Sequence, residues 1–166
     1  MSDHETFFAS RPAGLDRAEI ERRVRRLAAL QPRAESDFDL LREFYAPDAA
    51  CEFIGDKSRI PYAGRHVGVE TLIAIVRGID VDFEQTGHAV HGLVIDGGRA
   101  AVRRSVEWRH RGTGRRGRVA LADFIRFEYG RIVEMIEFRD SIAILAMQGE
   151  RVWPASLAMT DPRRRE

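Results

Sequence analysis

Between Ala100 and Asp140 the chain reads AAVRRSVEWRHRGTGRRGRVALADFIRFEYGRIVEMIEFRD. Apolar and polar residues alternate there with the two-residue period of a pleated strand, and glycine-containing turns interrupt the alternation twice. This predicts three consecutive antiparallel strands forming a curved meander. Each strand also carries an ionisable residue on its apolar face. Arg104 falls in the file Ala100, Val102, Val106, Trp108, and Asp123 falls in the file Leu121, Ile125, Phe127. A charge placed there must pair, shift its pKa or serve a ligand.

Turn chemistry decides whether the third strand adds another charge. A two-residue hairpin at Tyr129-Gly130 requires a positive φ at Tyr129, which a bulky residue resists. A three-residue loop, Glu128-Tyr129-Gly130, with Gly130 in the left-handed position is the predicted alternative. It pairs Phe127 with Arg131, so Asp123 faces Met135, Leu121 faces Glu137, and Glu137 joins the Asp123 face. Pairing like face with like across the first hairpin puts Arg104 there too. Two carboxyls sharing that face with one arginine predict a proton kept on one of them near neutral pH, with Asp123 as the protonated member.

With 166 residues, 44% hydrophobic and 32% charged, the chain suits one domain with a real core. A formal net charge of +1 makes neither nucleic acid nor an anionic membrane the default partner. The basic loop RHRGTGRRGR lacks the interleaved aromatics of a single-strand binder. The lone Cys51 fits a reducing compartment and reads as a small core residue. The first residues, MSDHETFFASRPAG, lack a basic start and an apolar core, so a cytoplasmic location is expected. No set of His, Cys and carboxylates has metal spacing, and His88 and His91 point to opposite faces of a strand. No metal is expected.

Residues 1–15 read as a flexible tail, tacked down at most by Phe7 and Phe8, residues 16–150 as the domain, and residues 151–166 as a second tail. Asp16 caps a helix with the stripe Ile20, Val24, Leu27 against an arginine-rich outer face, and Pro32 ends it. Ser36 or Asp37 caps a second helix that buries Leu40, Leu41, Phe44 and Tyr45 before Pro47. A short strand follows at 49–55, with Cys51 and Phe53 on one side, and then a polar loop with Tyr62 at its rim. A helix spans 69–79, and a strand spans 88–96 up to the turn at Asp96-Gly97-Gly98. After the meander, Asp140 or Ser141 caps a last helix. Helices followed by a long meander make an α+β domain, a cone-shaped curved antiparallel sheet wrapped around N-terminal helices and enclosing an apolar pocket. Ala122, Phe124, Ile132, Ile136 and Phe138 fall on the outer face. That apolar surface predicts a homodimer through the sheet.

The order of elements, the GRH after the Tyr62 loop and above all ALADFIRFEYGRIVEMIEFRD resemble the nuclear-transport-factor-two-like superfamily, in its SnoaL-like polyketide cyclase, ketosteroid isomerase and limonene epoxide hydrolase branch. The resemblance covers about residues 16–148. LADFIRF is similar to the isomerase strand whose acid donates to the substrate oxyanion, which implies that role for Asp123, while the position of the isomerase's base holds Phe53. The hydrolase's arginine, held between two acids, resembles Arg104. One of those acids matches Glu137, and the other falls at Val106.

The resemblance implies a pocket for a small hydrophobic molecule, with Asp123, Glu137 and Arg104 catalytic and no cofactor. Tyr45, Phe53, Tyr62, Val106, Trp108, Ile125, Met135 and Arg139 are the expected binding residues. Glu137 then moves a proton while Asp123 or Arg104 stabilises an oxyanion, as an isomerase, cyclase or dehydratase requires. The alternatives are a non-catalytic cavity that holds a small or acyl ligand against Arg104, and an epoxide hydrolase.

Overall fold

The computed structural model describes residues 12–31 and 34–151. Pro32 and most of both expected tails, Phe7 and Phe8 included, lie outside the described residues. Helix α1, Arg17–Ala28, is capped by Asp16, whose side chain accepts from the Glu19 N–H, and it buries Ile20, Val24 and Ala28. Three of its five arginines are in ion pairs within the helix: Arg22 and Arg23 pair with Glu19, and Arg25 pairs with Glu21. A 3₁₀ turn, Glu35–Phe38, leads into the short helix α2, Asp39–Phe44. The expected Ser36 or Asp37 cap is displaced. Ala34 starts the turn, and the Asp37 carboxylate reaches back to accept from the Ala34 N–H.

Strand β1, Tyr45–Ile54, begins earlier than expected and absorbs Tyr45 and Pro47. It is followed by β2, Gly64–Val67, helix α3, Val69–Asp82, and β3, Phe83–Asp96. The meander is β4, Arg99–His110, β5, Arg116–Glu128, and β6, Arg131–Arg139. The last helix, α4, is Ser141–Gln148, capped by the Asp140 carboxylate accepting from the Ala143 N–H. The six strands form one sheet in the order β2-β1-β6-β5-β4-β3. It is antiparallel except where β1 runs parallel to β6. Helices α1 to α3 lie across its concave face, and α4 closes one end by packing Ile144 and Met147 with Phe83, Trp108 and Val119.

The β5–β6 hairpin departs from the sequence expectation in a way that shapes the site. Glu128 pairs with Arg131, so the turn holds two residues, and Tyr129 takes a φ of 48°. Two features offset that strain. The Tyr129 ring is 70% exposed, so its bulk meets water, and the Tyr129 and Gly130 N–H groups donate to the Pro12 and Ala13 carbonyls. Further along, a bulge in β6 opposite Arg126 and Phe127 shifts the register by one more residue. Ile132 thereby turns inward against Phe127 and is fully buried, not on the outer face. Asp123 then pairs directly with Glu137, and Leu121 with Arg139. The expected pairs, Asp123 with Met135 and Leu121 with Glu137, do not form. Glu137 still lands on the expected face, because the shorter turn and the bulge each move the register by one residue in the same direction, two in all, which preserves parity.

Candidate active site

Strand register alone brings four charges together. Val102 of β4 pairs with Asp123 of β5, which pairs with Glu137 of β6, while Arg104 and Arg139 flank Leu121. Arg104 Nε donates to Asp123 Oδ2 at 2.6 Å, and its Nη2 donates to Glu137 Oε2 at 2.8 Å. Arg139 Nη2 donates to Glu137 Oε1. The order Asp123, Arg104, Glu137, Arg139 is therefore a chain of alternating sign. Its side chains are 6%, 16%, 6% and 3% exposed. Desolvation is offset only because every carboxylate has a guanidinium.

Arg139 changes the charge count read from the sequence. Expected as a binding residue near the strand end, it lies in the interior. With two guanidiniums and two carboxylates the set sums to zero, so the premise of one arginine between two acids, from which a proton on Asp123 followed, does not hold. Burial pushes the Arg139 guanidinium below the usual arginine range. The guanidinium lies over the rings of Phe53 and Tyr62, at 4.9 and 4.7 Å from their centroids. Its Nε and Nη1 are buried and make no hydrogen bond of good geometry, while the Tyr62 hydroxyl, buried and unpaired as well, interacts with the guanidinium and partly offsets that downward push.

These groups open onto a cavity of about 160 Å³. Of the residues expected to line it, Tyr45, Phe53, Arg104, Val106, Trp108, Met135, Glu137 and Arg139 do. Three do not. Asp123 is not among the lining residues, although it accepts from Arg104, which is. Ile125 packs in the core with Val102 and Phe127. Tyr62 walls a second cavity of about 320 Å³ between the 59–66 segment, α3 and α4. Burial pushes the Tyr45 phenol well up, and its hydroxyl donates to the Met135 sulfur at 3.2 Å, so Tyr45 is a neutral donor. The Cys51 thiol is pushed up to about 12 by burial, which suits a core residue and disarms a nucleophile.

Sequence reasoning missed the wall contributed by the helices and by β3: Leu27, Leu30, Leu72, Ile79, Phe83 and Gln85. Gln85 was hidden because β3 contains bulges between Gln85 and Gly87 and between Val90 and Gly92, which break the two-residue period that would have revealed a strand. His88 and Val106 are register partners, while His91 Nε2 meets Ser105 Oγ at 2.8 Å. Among the described residues no cluster of three or more His, Cys, Asp and Glu is gathered as a metal site would require, and no helix is long and apolar enough to cross a membrane.

Comparison with known proteins agrees with this fold. The SnoaL-like domain matches residues 24–135. A crystal structure of a putative isomerase from Rhodopseudomonas palustris superposes with a TM-score of 0.68 at 19% identity, covering 82% of this chain and 100% of that one. A putative SnoaL-like polyketide cyclase from Mesorhizobium loti gives 0.61 at 21% identity, over 74% of this chain and 98% of that one. An LEH-like epoxide hydrolase from M. tuberculosis gives 0.59 at 18% identity, over 78% and 89%. At these identities the likeness is one of fold, and no curated protein matches. The family match, over more than half of the chain, and the cone-shaped α+β architecture make the protein a member of the SnoaL-like family, with the nuclear-transport-factor-two-like fold.

Proposed function

We propose that this protein is a cofactor-independent isomerase or cyclase that moves a proton next to a carbonyl group on a small apolar molecule. One observation carries the reading. Glu137, a buried carboxylate, lines an apolar cavity beside Arg139, a buried guanidinium with two nitrogens still lacking acceptors. A carbonyl oxygen seated on Arg139 brings its α-carbon to the Glu137 side. Each Glu137 oxygen accepts from one guanidinium and keeps a further lone pair for a proton.

In the proposed step the α-proton passes to Glu137. The C–H electron pair becomes the enolate double bond, and the carbonyl π pair moves onto the oxygen at Arg139. Before the step the negative charge on Glu137 faces Arg139, and afterwards the enolate does, so the net charge of the set stays at zero. A preformed partner for the developing oxyanion is the arrangement that lowers such a barrier. In a β,γ-unsaturated ketone the enolate is a dienolate, and returning the Glu137 proton to its far carbon shifts the double bond. In a diketone the enolate carbon attacks the second carbonyl, whose π pair goes to oxygen and takes the proton back from Glu137, closing a ring. Asp123, bound to Arg104, is a positioning residue in this scheme.

Epoxide opening is the second reading, favoured by Arg104 lying between two acids. It fits less well, because Asp123 is not among the residues lining the cavity, which leaves Glu137 as the acid of that pair able to meet the substrate.

The test is loss of α-proton signal from octane-2,7-dione in D2O, followed by NMR. Wild type is expected to exceed the buffer rate, and Glu137→Gln to fall by about a hundredfold or more, the usual worth of a general base. Exchange at the buffer rate in wild type would reject the proposal. So would an epoxide turned over while ketones are not.

A further inference from the structure

We propose that the cavity is built for a neutral molecule carrying two oxygen acceptors at opposite ends, one held by Arg139 and the other by the side-chain amide of Gln85. The inference rests on Arg139 receiving the reacting oxygen, as argued above, and adds a second pole to the same site.

Gln85 stands on β3 and Arg139 on β6, with β4 and β5 between them. Three inter-strand steps of about 4.8 Å make about 14 Å along the sheet, and the concavity shortens the direct path. Both residues line the one cavity. The Gln85 amide is oriented by Trp108, its register partner, whose indole Nε1 is a donor only and reaches Gln85 Oε1 at 3.5 Å. The amide oxygen is thus engaged, and the Nε2 group is left over, buried and without a partner. Arg139 Nε and Nη1 are in the same condition. Buried polar groups are nearly always satisfied, so donors left over at both ends of a cavity favour a ligand with acceptors at both ends. Apolar residues, among them Leu72, Val76, Ile79 and Val106, supply the walls between the poles.

Charge decides which acceptors fit. Asp123, Arg104, Glu137 and Arg139 already balance, and the other charged residue of the lining, Asp80, is an acid paired with Arg111. A carboxylate would therefore add an unpaired buried anion beside Glu137, whereas a carbonyl or ether oxygen adds none. The ligand class is an apolar chain or ring system with a carbonyl at one end and a second neutral oxygen at the other.

The experiment compares binding of octane-2,7-dione, octan-2-one and octanoate to the full chain by ligand-observed NMR titration, a readout that does not depend on turnover. The dione is expected to bind about tenfold more tightly than the monoketone, the worth of one good neutral hydrogen bond. Gln85→Leu should reduce that ratio to about one. Gln85→Glu, which keeps an oxygen for Trp108 and removes the free donor, should reduce it as well and guards against a fold defect in the first variant. Equal affinity for dione and monoketone in wild type would overturn the proposal, as would a ratio unchanged in Gln85→Glu, the tightest binding by octanoate, or no binding of the dione. If the dione binds with the expected ratio but exchanges no α-protons, the two-pole site stands and the catalytic reading falls. If α-protons exchange without the ratio, the catalytic reading stands and the two-pole site falls.

Discussion

Replacing Arg104 with methionine isolates the energetics of the buried charge chain. Methionine keeps most of the apolar stem, so the change is chiefly the loss of the guanidinium from between Asp123 and Glu137, both almost fully buried. Asp123 loses both of its hydrogen bonds from Arg104, at 2.6 and 3.4 Å, while Glu137 loses one and keeps Arg139. Stranding a buried ion costs about 3–5 kcal/mol, set against a total stability of about 5–15 kcal/mol for a typical domain. The double change Arg104→Met, Asp123→Leu removes the stranded ion and leaves Glu137 balanced by Arg139, so much of the loss should return. The expected coupling energy is about 2 kcal/mol or more, read from urea unfolding with m unchanged across the four proteins. Losses that add to within about 0.5 kcal/mol, or a single-variant cost under about 1 kcal/mol, would refute the reasoning.

On the outer face of the sheet Phe124 and Phe138 stack edge to face, 39% and 48% exposed. We propose a homodimer through this face, with Phe138→Glu shifting the mass in light scattering to that of a monomer; a monomeric wild type at micromolar concentration would oppose it. Tyr129 sits at a φ of 48° with its ring in water, so Tyr129→Asn, which tolerates that conformation, should raise stability by about 0.5–1 kcal/mol, and a lowered unfolding midpoint would count against the strain. The Cys51 thiol, at about 12 against an ordinary 9.0, keeps a proton in the folded chain that the unfolded chain releases. Its contribution is whole below about pH 9 and is lost as the pH rises towards the folded value, by up to about 1.4 kcal/mol per pH unit. Stability should therefore fall less steeply between about pH 9 and 11 in Cys51→Ala than in wild type, and equal slopes would contradict the assignment.

Much of this site was legible because a strand reports its faces directly. Arg104, Asp123 and Glu137 could be placed on one face from parity alone, and parity survived the unexpected turn at Tyr129 because the β6 bulge moved the register by one further residue. The exact partners were not legible. Nothing local announces a bulge at the Ile132 to Glu134 step, and without it Glu137 cannot be set opposite Asp123 or Ile132 turned inward. Arg139 was visible on the right face but not its depth, which depends on Phe53 and Tyr62, residues far away in sequence that cover the strand end. The sequence places Asp123 on the cavity face but does not show that it is left out of the cavity lining while Arg104, its hydrogen-bond donor, takes part in it. Gln85 lay in a strand whose bulges erase its own signature.

The proposed chemistry stands on Glu137 acting as a base and not merely as a member of an ion-pair chain. The most direct measurement is the exchange rate of octane-2,7-dione α-protons at saturating ketone in Glu137→Gln, read beside the dissociation constant of the same ketone. Loss of exchange by about a hundredfold or more, with the dissociation constant within about threefold of wild type, is the predicted result. Undiminished exchange in a folded Glu137→Gln would contradict it.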